Sequence, residues 1–325
     1  MDLSGKIVLI ANSKSPPNAG YAKHMMRFDF AMLFTNEMLA YAIQKCGYEL
    51  VRYYHASDFI KNISSHKNDL IFPYYNGVGS KIRQTYIQTV CEAQNMKYVG
   101  SDGYARVITN DKVLAKEFCK EFDIKTPACK VFFHPEYPPD ISVLNYPVIV
   151  KPRHEGDSIG ISSRNIFREP KGVLEFAKSL QTDLKQPLLI EEYLEGTEIS
   201  IGMIGYQRNI KRISVIEHLQ KNAHSYFDKK LNLRLNKYRP MEDILDSTLL
   251  LKLTNLFHSL DKIEFVRFDF ILYAGDIYNI EITADPGLGS AGSMYACFKR
   301  EMEYSQFIDY LILNTIERYD KLGQL

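Results

Sequence analysis

The sequence predicts an α/β chain: an open parallel sheet first, then two smaller α+β units. Three observations carry this. Short β-branched runs alternate with helix-spaced segments over residues 1 to ~105, the pattern of a parallel sheet with crossover helices. Pro and Gly then punctuate a run of shorter strands from Pro127 onward. Near the end, VRFDFIL and NIEIT alternate apolar and polar residues with a period of two, as half-buried strands do.

In chain order, KIVLIA (6–11) reads as a buried strand and NSKSPPNAG (12–20) as a loop. FAMLFTNEMLAYAIQKCG follows as a helix closed by Gly47. YELVRYY and DLIFPYY are strands, QTYIQTVCEAQ is a helix and KYVGS returns to strand. TNDKVLAKEFCKEF (109–122) reads as a helix with a Thr/Asn start. CKVFF, YPVIVK and IGIS are expected strands, and EPKGVLEFAKSLQTDL an amphipathic helix. PLLIEEYLEGTEISIGMIG opens the third unit, where ISIGMIGY and IKRISVIEH are strands. DILDSTLLLKLTNLFHSL is a helix, EFVRFDFILY and IYNIEIT are strands, and MEYSQFIDYLILNTIERY closes the chain as a helix. The expected units are 1–105, 106–186 and 187–325.

The bulk numbers exclude several function classes. The chain has 325 residues, enough for two or three domains at ~100–200 residues each. Forty Lys and Arg against 39 Asp and Glu leave a net charge of +1, so no basic field invites nucleic acid. The five cysteines (46, 91, 119, 129, 297) are odd in number and scattered, with no CxxC or Cys/His cluster. They read as buried small hydrophobes in a reducing compartment rather than a zinc site or disulfide framework. The N-terminal apolar run is too short for a signal peptide, and no run approaches ~18 apolar residues. A cytoplasmic protein without a membrane segment is expected; a homodimer is left open.

The chemistry starts at YPVIVKPRHEGDSIGIS (146–162). A strand ends in Lys151, and a loop of small residues follows, carrying Gly156, Ser158 and Gly160. Such a loop can bring backbone N–H groups close to an anion, and lysine suits phosphate. A polar hairpin loop is the alternative. Farther on, Arg267 and Asp269 share one face of their strand, opposite Val266, Phe268 and Phe270. Glu281 and Thr283 share a face opposite Ile280 and Ile282. If these strands pair, the oxygens cluster beside Arg267, a donor set suited to Mg²⁺. A solvated polar face with an ordinary Arg–Asp pair is the alternative. Lys112, Lys151, the small-residue loop and the late acids together are the parts a phosphoryl transfer needs.

The ordered motifs NDKVLAK, VKPRHEGDSIG, EEYLEGTE, RFDF and EITADPG resemble the ATP-grasp superfamily, and within it most closely the D-alanine–D-alanine ligase family. DLIFPYYNGVGSKIRQTYIQ and YVGS sit where that family has an upstream conserved segment, so the resemblance spans about residues 5 to 320. It implies a three-domain ATP-grasp architecture: an N-terminal parallel α/β domain plus two α+β domains sandwiching ATP. By resemblance, Lys112 and Lys151 hold ATP phosphates, together with Ser158 of the loop. Glu191, Glu192 and Leu194 belong to the hinge that meets adenine, and Glu198 reaches the ribose. Asp269 and Glu281 are magnesium carboxylates, with Thr283 where the family has Asn. Arg267 steadies the acyl phosphate and tetrahedral intermediate, Gly287 approaches the reacting carbonyl, and Ser158 joins them as a catalytic residue. The implied cofactors are ATP and Mg²⁺, with Mn²⁺ an admissible substitute; the partners are a small carboxylate and an amine.

Other departures fall where amino-acid substrates would lie. Asp157 replaces the first loop serine, and Asn76 stands in place of a histidine. No N-terminal glutamate exists in NSKSPPNAGYAKH, and the tail reads GLGSAGSMY. Asp285 replaces an uncharged or basic residue, and reads as either a third metal ligand or an anchor for a substrate cation. His154 and His218 read as polar surface residues, His24 as lying along the first substrate's path, and 219–240 as part of a lid. The expected activity is ATP-dependent carboxylate–amine ligation through an acyl phosphate, on amino acids or their derivatives. The alternatives are a genuine D-alanine–D-alanine ligase and a non-catalytic ATP-binding regulator.

Overall fold

The computed structural model describes residues 5–11, 33–77, 81–156, 158–219 and 237–323. Three sheets organise it. The first has the order β2-β1-β3-β4, built from β1 (Ile7–Ala11), β2 (Leu50–Tyr53), β3 (Leu70–Tyr74) and β4 (Lys97–Tyr98), all parallel. Every residue of β1 is buried, which explains its unbroken apolar run: a central parallel strand is covered on both faces. Pro73 is tolerated in β3 because β4 has already ended on that side. A helix over 33–45 ends before Gly47, whose φ of 89° suits a glycine cap. The helix Ala56–Asn62 is an addition to the expected elements.

The second sheet runs β5-β8-β6-β7: β5 (Cys129–Phe132), β6 (Val148–Pro152), β7 (Ile166–Phe167) and β8 (Leu188–Glu192), all antiparallel. The helix Val173–Leu184 packs Val173, Ala177, Leu180 and Leu184 against Val148, Val150, Leu188 and Ile190. IGIS is not a strand. Ser158 and Gly160 have φ of 59° and 74°, which end any extended run, and a Cβ on Gly160 would lie 2.8 Å from Leu184 Cδ1. The pairing strand is β7, four residues beyond Ser162, and the Asn165 amide pins the turn by donating to Val150 O (2.7 Å) and Gly160 O (2.8 Å). β8, expected to open the third unit, instead pairs with β5 and β6 in this sheet.

The third sheet is β11-β10-β9-β12-β13: β9 (Thr197–Tyr206), β10 (Asn209–His218), β11 (Tyr238–Pro240), β12 (Phe265–Tyr273) and β13 (Asp276–Thr283). One face packs against the helix Ser247–Ser259, and also against the helices Gly103–Asn110 and Lys112–Glu121, through Ala105, Ile108, Ala115 and Cys119. The other face packs against the helices Ser293–Phe298 and Tyr304–Leu322, in a core that continues to Ile7 and Leu9 of β1. The Thr/Asn helix start is corrected. Asn110 ends one helix; Asp111 begins the next, its carboxylate accepting from Val113 N (3.0 Å) and Leu114 N (3.3 Å). Lys112 is thereby fixed as a first-turn residue. No helix among the described residues is long and apolar enough to cross a membrane.

Candidate active site

β12 and β13 pair antiparallel as their alternation requires, with Arg267 opposite Thr283 and Asp269 opposite Glu281. Phe268 and Phe270 go to the core, so all four polar side chains share the other face. Arg267 grips Asp269 with a fork: Nε donates to Oδ1 (2.8 Å) and Oδ2 (3.0 Å), and Nη2 to Oδ2 (2.7 Å). Ser200 Oγ, directly across on β9, donates to Oδ1 at 2.6 Å. Burial pushes the Asp269 carboxyl up, but the Arg267 charge and these bonds outweigh it and hold the group below its ordinary range.

The chain of contacts continues. His218 Nε2 lies 2.9 Å from Ser200 Oγ, and its Nδ1 lies 3.8 Å from Glu198 Oε1. His218 is therefore not a surface residue: it links the ribose candidate Glu198 to the metal candidate Asp269 through Ser200. Sequence reasoning missed Ser200. The signal was available, because Glu198 and Ser200 share a strand face by period two.

Glu281 Oε1 takes an ion pair from Lys112 Nζ at 3.1 Å, and the same ammonium donates to Glu155 O at 2.5 Å. Thr283 Oγ1 is buried and has no hydrogen-bond partner among the described residues. Asp269, Glu281 and this orphaned hydroxyl form an all-oxygen set beside a phosphate-type lysine. That set fits Mg²⁺, which uses one or two carboxylates and leaves places for phosphates. Among the described residues, no group of three or more His, Cys, Asp or Glu is placed to hold a metal, so zinc-type ligation finds no site there.

The loop after β6 is tied down on both sides. Arg153 meets Asp111 through two bonds, Nε–Oδ1 (2.8 Å) and Nη2–Oδ2 (2.7 Å). Glu155 is buried, its Oε2 held by Arg83 Nη2 (2.7 Å) and its Oε1 by Gln186 Nε2 (2.9 Å). His154 is buried too, and burial lowers its pKa. Arg153 and the helix-start N–H groups hold the Asp111 carboxyl below its ordinary value, against burial, which pushes it up. A carboxylate with a depressed folded pKa contributes stability above its unfolded pKa, and that stability is lost as pH falls through the folded value. Arg153→Ala is therefore expected to destabilise the fold at pH 7 by ~1–3 kcal/mol. The gap from wild type should narrow as pH drops below ~4. Thermal unfolding from pH 7 to 3 checks this; a gap that does not narrow removes the Asp111 contact as its cause.

Lys151 Nζ does not stand free. It meets Glu191 Oε1 at 2.5 Å, while Lys116 Nζ meets Glu191 Oε2 at 2.6 Å. Glu191, expected at the adenine hinge, has its carboxylate buried between these two ammonium groups. Glu192 Oε1 accepts from Asn145 N and Nδ2, both at 2.8 Å, so this carboxylate fastens the end of β8 to the segment that leads into β6. The hinge turns at Gly196, where a Cβ would strike Leu272 O at 2.2 Å, and Leu194 O accepts from Gly196 N (3.1 Å). At the opposite end, a Cβ on Gly287 would lie 4.0 Å from Tyr74 Oη. Asp285 Oδ2 is held by Arg106 Nη1 at 2.9 Å. The Asp285 charge thus faces a cation of the chain itself, on a helix that precedes the phosphate-type lysine. Asn76 lines the same cleft, with Tyr74, Arg106 and Asp285. Asp157, His24, the loop 12–20 and most of the expected lid (220–236) lie outside the described residues.

The family model for the D-ala D-ala ligase C-terminus matches residues 122–313, more than half of the chain. The chain belongs to this ligase family. The D-alanine–D-alanine ligase of Flavobacterium psychrophilum is 26% identical over 326 residues, covering 97% of this chain and 92% of that one. The ligase of Pelagibacter ubique is 27% identical over 265 residues, covering 79% of this chain and 83% of that protein. The crystal structure of D-alanine–D-alanine ligase from Bacillus anthracis complexed with ATP superposes with a TM-score of 0.72, at 17% identity, covering 98% of this chain and all of that one. The fold is thus the ATP-grasp fold, as the motifs implied. By family the chain is an ADP-forming ligase.

Proposed function

We propose that the chain joins a small carboxylate to an amine at the expense of ATP, through an acyl phosphate, with amino acids or close derivatives as substrates. The observation that carries this reading is the shared face of β12 and β13, which sets Arg267, Asp269, Glu281 and Thr283 beside Lys112. In the reaction, a carboxylate oxygen bonds to the γ-phosphorus as ADP leaves. The amine nitrogen then bonds to the acyl carbon, phosphate leaves, and the nitrogen gives up a proton. Lys112 and Lys151 would bind phosphate oxygens, and Glu198 with the hinge backbone around Leu194 would orient the nucleoside. Asp269, Glu281 and Thr283 would hold Mg²⁺, which neutralises phosphate charge when bound. Arg267 would face the charge that develops on the reacting oxygens, and Ser158 with Gly287 would lie along the path of the acyl group. Asp285, held by Arg106, would either complete the metal site or face a cationic substrate group.

Incubation with ATP, Mg²⁺ and D-alanine, then with other amino-acid pairs, tests the reading. Mg²⁺-dependent ADP release with a condensed product of matching mass is expected for at least one pair. D-alanyl–D-alanine as the preferred product would make the chain a D-alanine–D-alanine ligase in the strict sense. ADP release that no amino acid stimulates, with no condensed product, would overturn the proposal.

A further inference from the structure

The nucleotide reading gives Lys151 a task, and the structure raises a difficulty with it. The ammonium that should meet phosphate is already engaged by Glu191 at 2.5 Å. A one-to-one buried ion pair would be a poor phosphate site: its charge is spent, and separating it leaves a carboxylate stranded in a medium that solvates it badly. Here the pair is not one-to-one. Lys116 approaches the other oxygen of the same carboxylate at 2.6 Å. Lys116, Lys151 and Glu191 are all buried, at 5%, 7% and 2% exposure. Among the described residues, no second carboxylate pairs with either lysine. The Cys129 thiol is close by, and burial pushes its pKa up, so it adds no negative charge.

Counting charges, two ammonium groups face one carboxylate, and the buried cluster carries an excess of one positive charge. We propose that this cluster is a preformed anion seat in which Lys116 is the positioning residue: it neutralises Glu191, so that the charge of Lys151 is available to a nucleotide phosphate. The inference rests on the nucleotide reading of Lys151. Lys116 need not touch the nucleotide. It lies one helical turn from Lys112, on the same face of the helix Lys112–Glu121, and its other polar contact is Pro127 O at 3.3 Å. Glu191 serves as a hinge of charge: it holds Lys151 in place before phosphate arrives and keeps Lys116 as its partner afterwards. Its carboxyl stays ionised despite complete burial, since the two lysines outweigh the burial that pushes its pKa up.

The test is ADP binding by calorimetry to four full-length proteins: wild type, Lys116→Met, Glu191→Gln and the double variant. In Lys116→Met the excess charge is gone and Glu191 holds Lys151 alone, so ADP affinity should fall ~10-fold or more, the size expected for one lost charge-assisted contact. Glu191→Gln frees both lysines, so affinity should equal or exceed wild type, with steeper salt dependence. In the double variant Lys151 is again unopposed, and affinity should return to within about threefold of wild type, on the additivity error expected when the direct contact is intact. That restoration is not expected if Lys116 only supports the fold. Wild type that binds ADP while Lys116→Met binds equally well overturns the seat and leaves the nucleotide reading standing. So does a double variant no better than Lys116→Met. Wild type that binds no ADP overturns both. If Lys116→Met does not fold, Glu191→Gln decides: a tenfold loss of affinity there makes Glu191 a direct requirement and ends the proposal.

Discussion

Asp269→Asn is expected to lower Mg²⁺-dependent ADP release by ~10²-fold or more, the scale on which a lost electrostatic contact to a transition state is felt. ATP affinity should fall much less. The reason is local. Asp269 is buried, and both of its oxygens accept bonds from Arg267, while Ser200 adds another. Asparagine keeps the shape but turns one acceptor into a donor facing other donors, and removes the charge that a metal needs. Glu281→Gln is the cleaner companion: its side chain is about a quarter exposed and meets Lys112 at 3.1 Å, so its loss disturbs little besides the metal and the phosphate lysine. The Mg²⁺ concentration for half-maximal rate should rise in both variants. Steady-state ADP release against Mg²⁺ checks this. Turnover within tenfold of wild type in both would remove β12 and β13 from the metal site.

The parts that were legible in the sequence depend on short periods. Arg267, Asp269, Glu281 and Thr283 alternate with core residues over two adjacent strands, and period two fixes their shared face once the strands pair. Lys151 was legible because it ends an apolar run. What escaped needs contacts between distant segments. Arg106 meets Asp285 across 179 residues, from the helix Gly103–Asn110, of which only Thr109 and Asn110 were expected to be helical. Glu191 read as a hinge residue because EEYLEG looks like one motif. Strand alternation sends Glu191 inward and Glu192 to the opposite face of β8, and only the ion pair itself reveals Lys116, on the helix Lys112–Glu121, as the partner of Glu191. A hint existed: Lys112 and Lys116 are four residues apart, on the helix face that also buries Ala115 and Cys119. His218 was unreadable for another reason. Its contact with Ser200 depends on the register of the β9–β10 hairpin, which shifts between Ile210 and Arg212.

Arg267 carries the other large expected effect, and its two duties can be separated. Arg267→Ala leaves Asp269 buried with Ser200 as its one remaining side-chain donor among the described residues, and breaking one side of a buried pair costs about 3–5 kcal/mol. Lost activity in that variant would therefore mix chemistry with unfolding. Arg267→Lys keeps a positive charge beside Asp269 but loses the planar fork that now makes three contacts to it. The lysine variant is expected to stay folded, with a Tm within a few degrees of wild type, and to bind ATP within about threefold, because the nucleotide is held by other groups. Its kcat should nonetheless drop ~10²-fold, since a point charge cannot hold Asp269 and face the reacting oxygens together. Near-equal losses in kcat and kcat/KM would place the effect in the transition state. A raised KM for ATP with kcat unchanged would instead make Arg267 a binding residue and take it out of the chemistry.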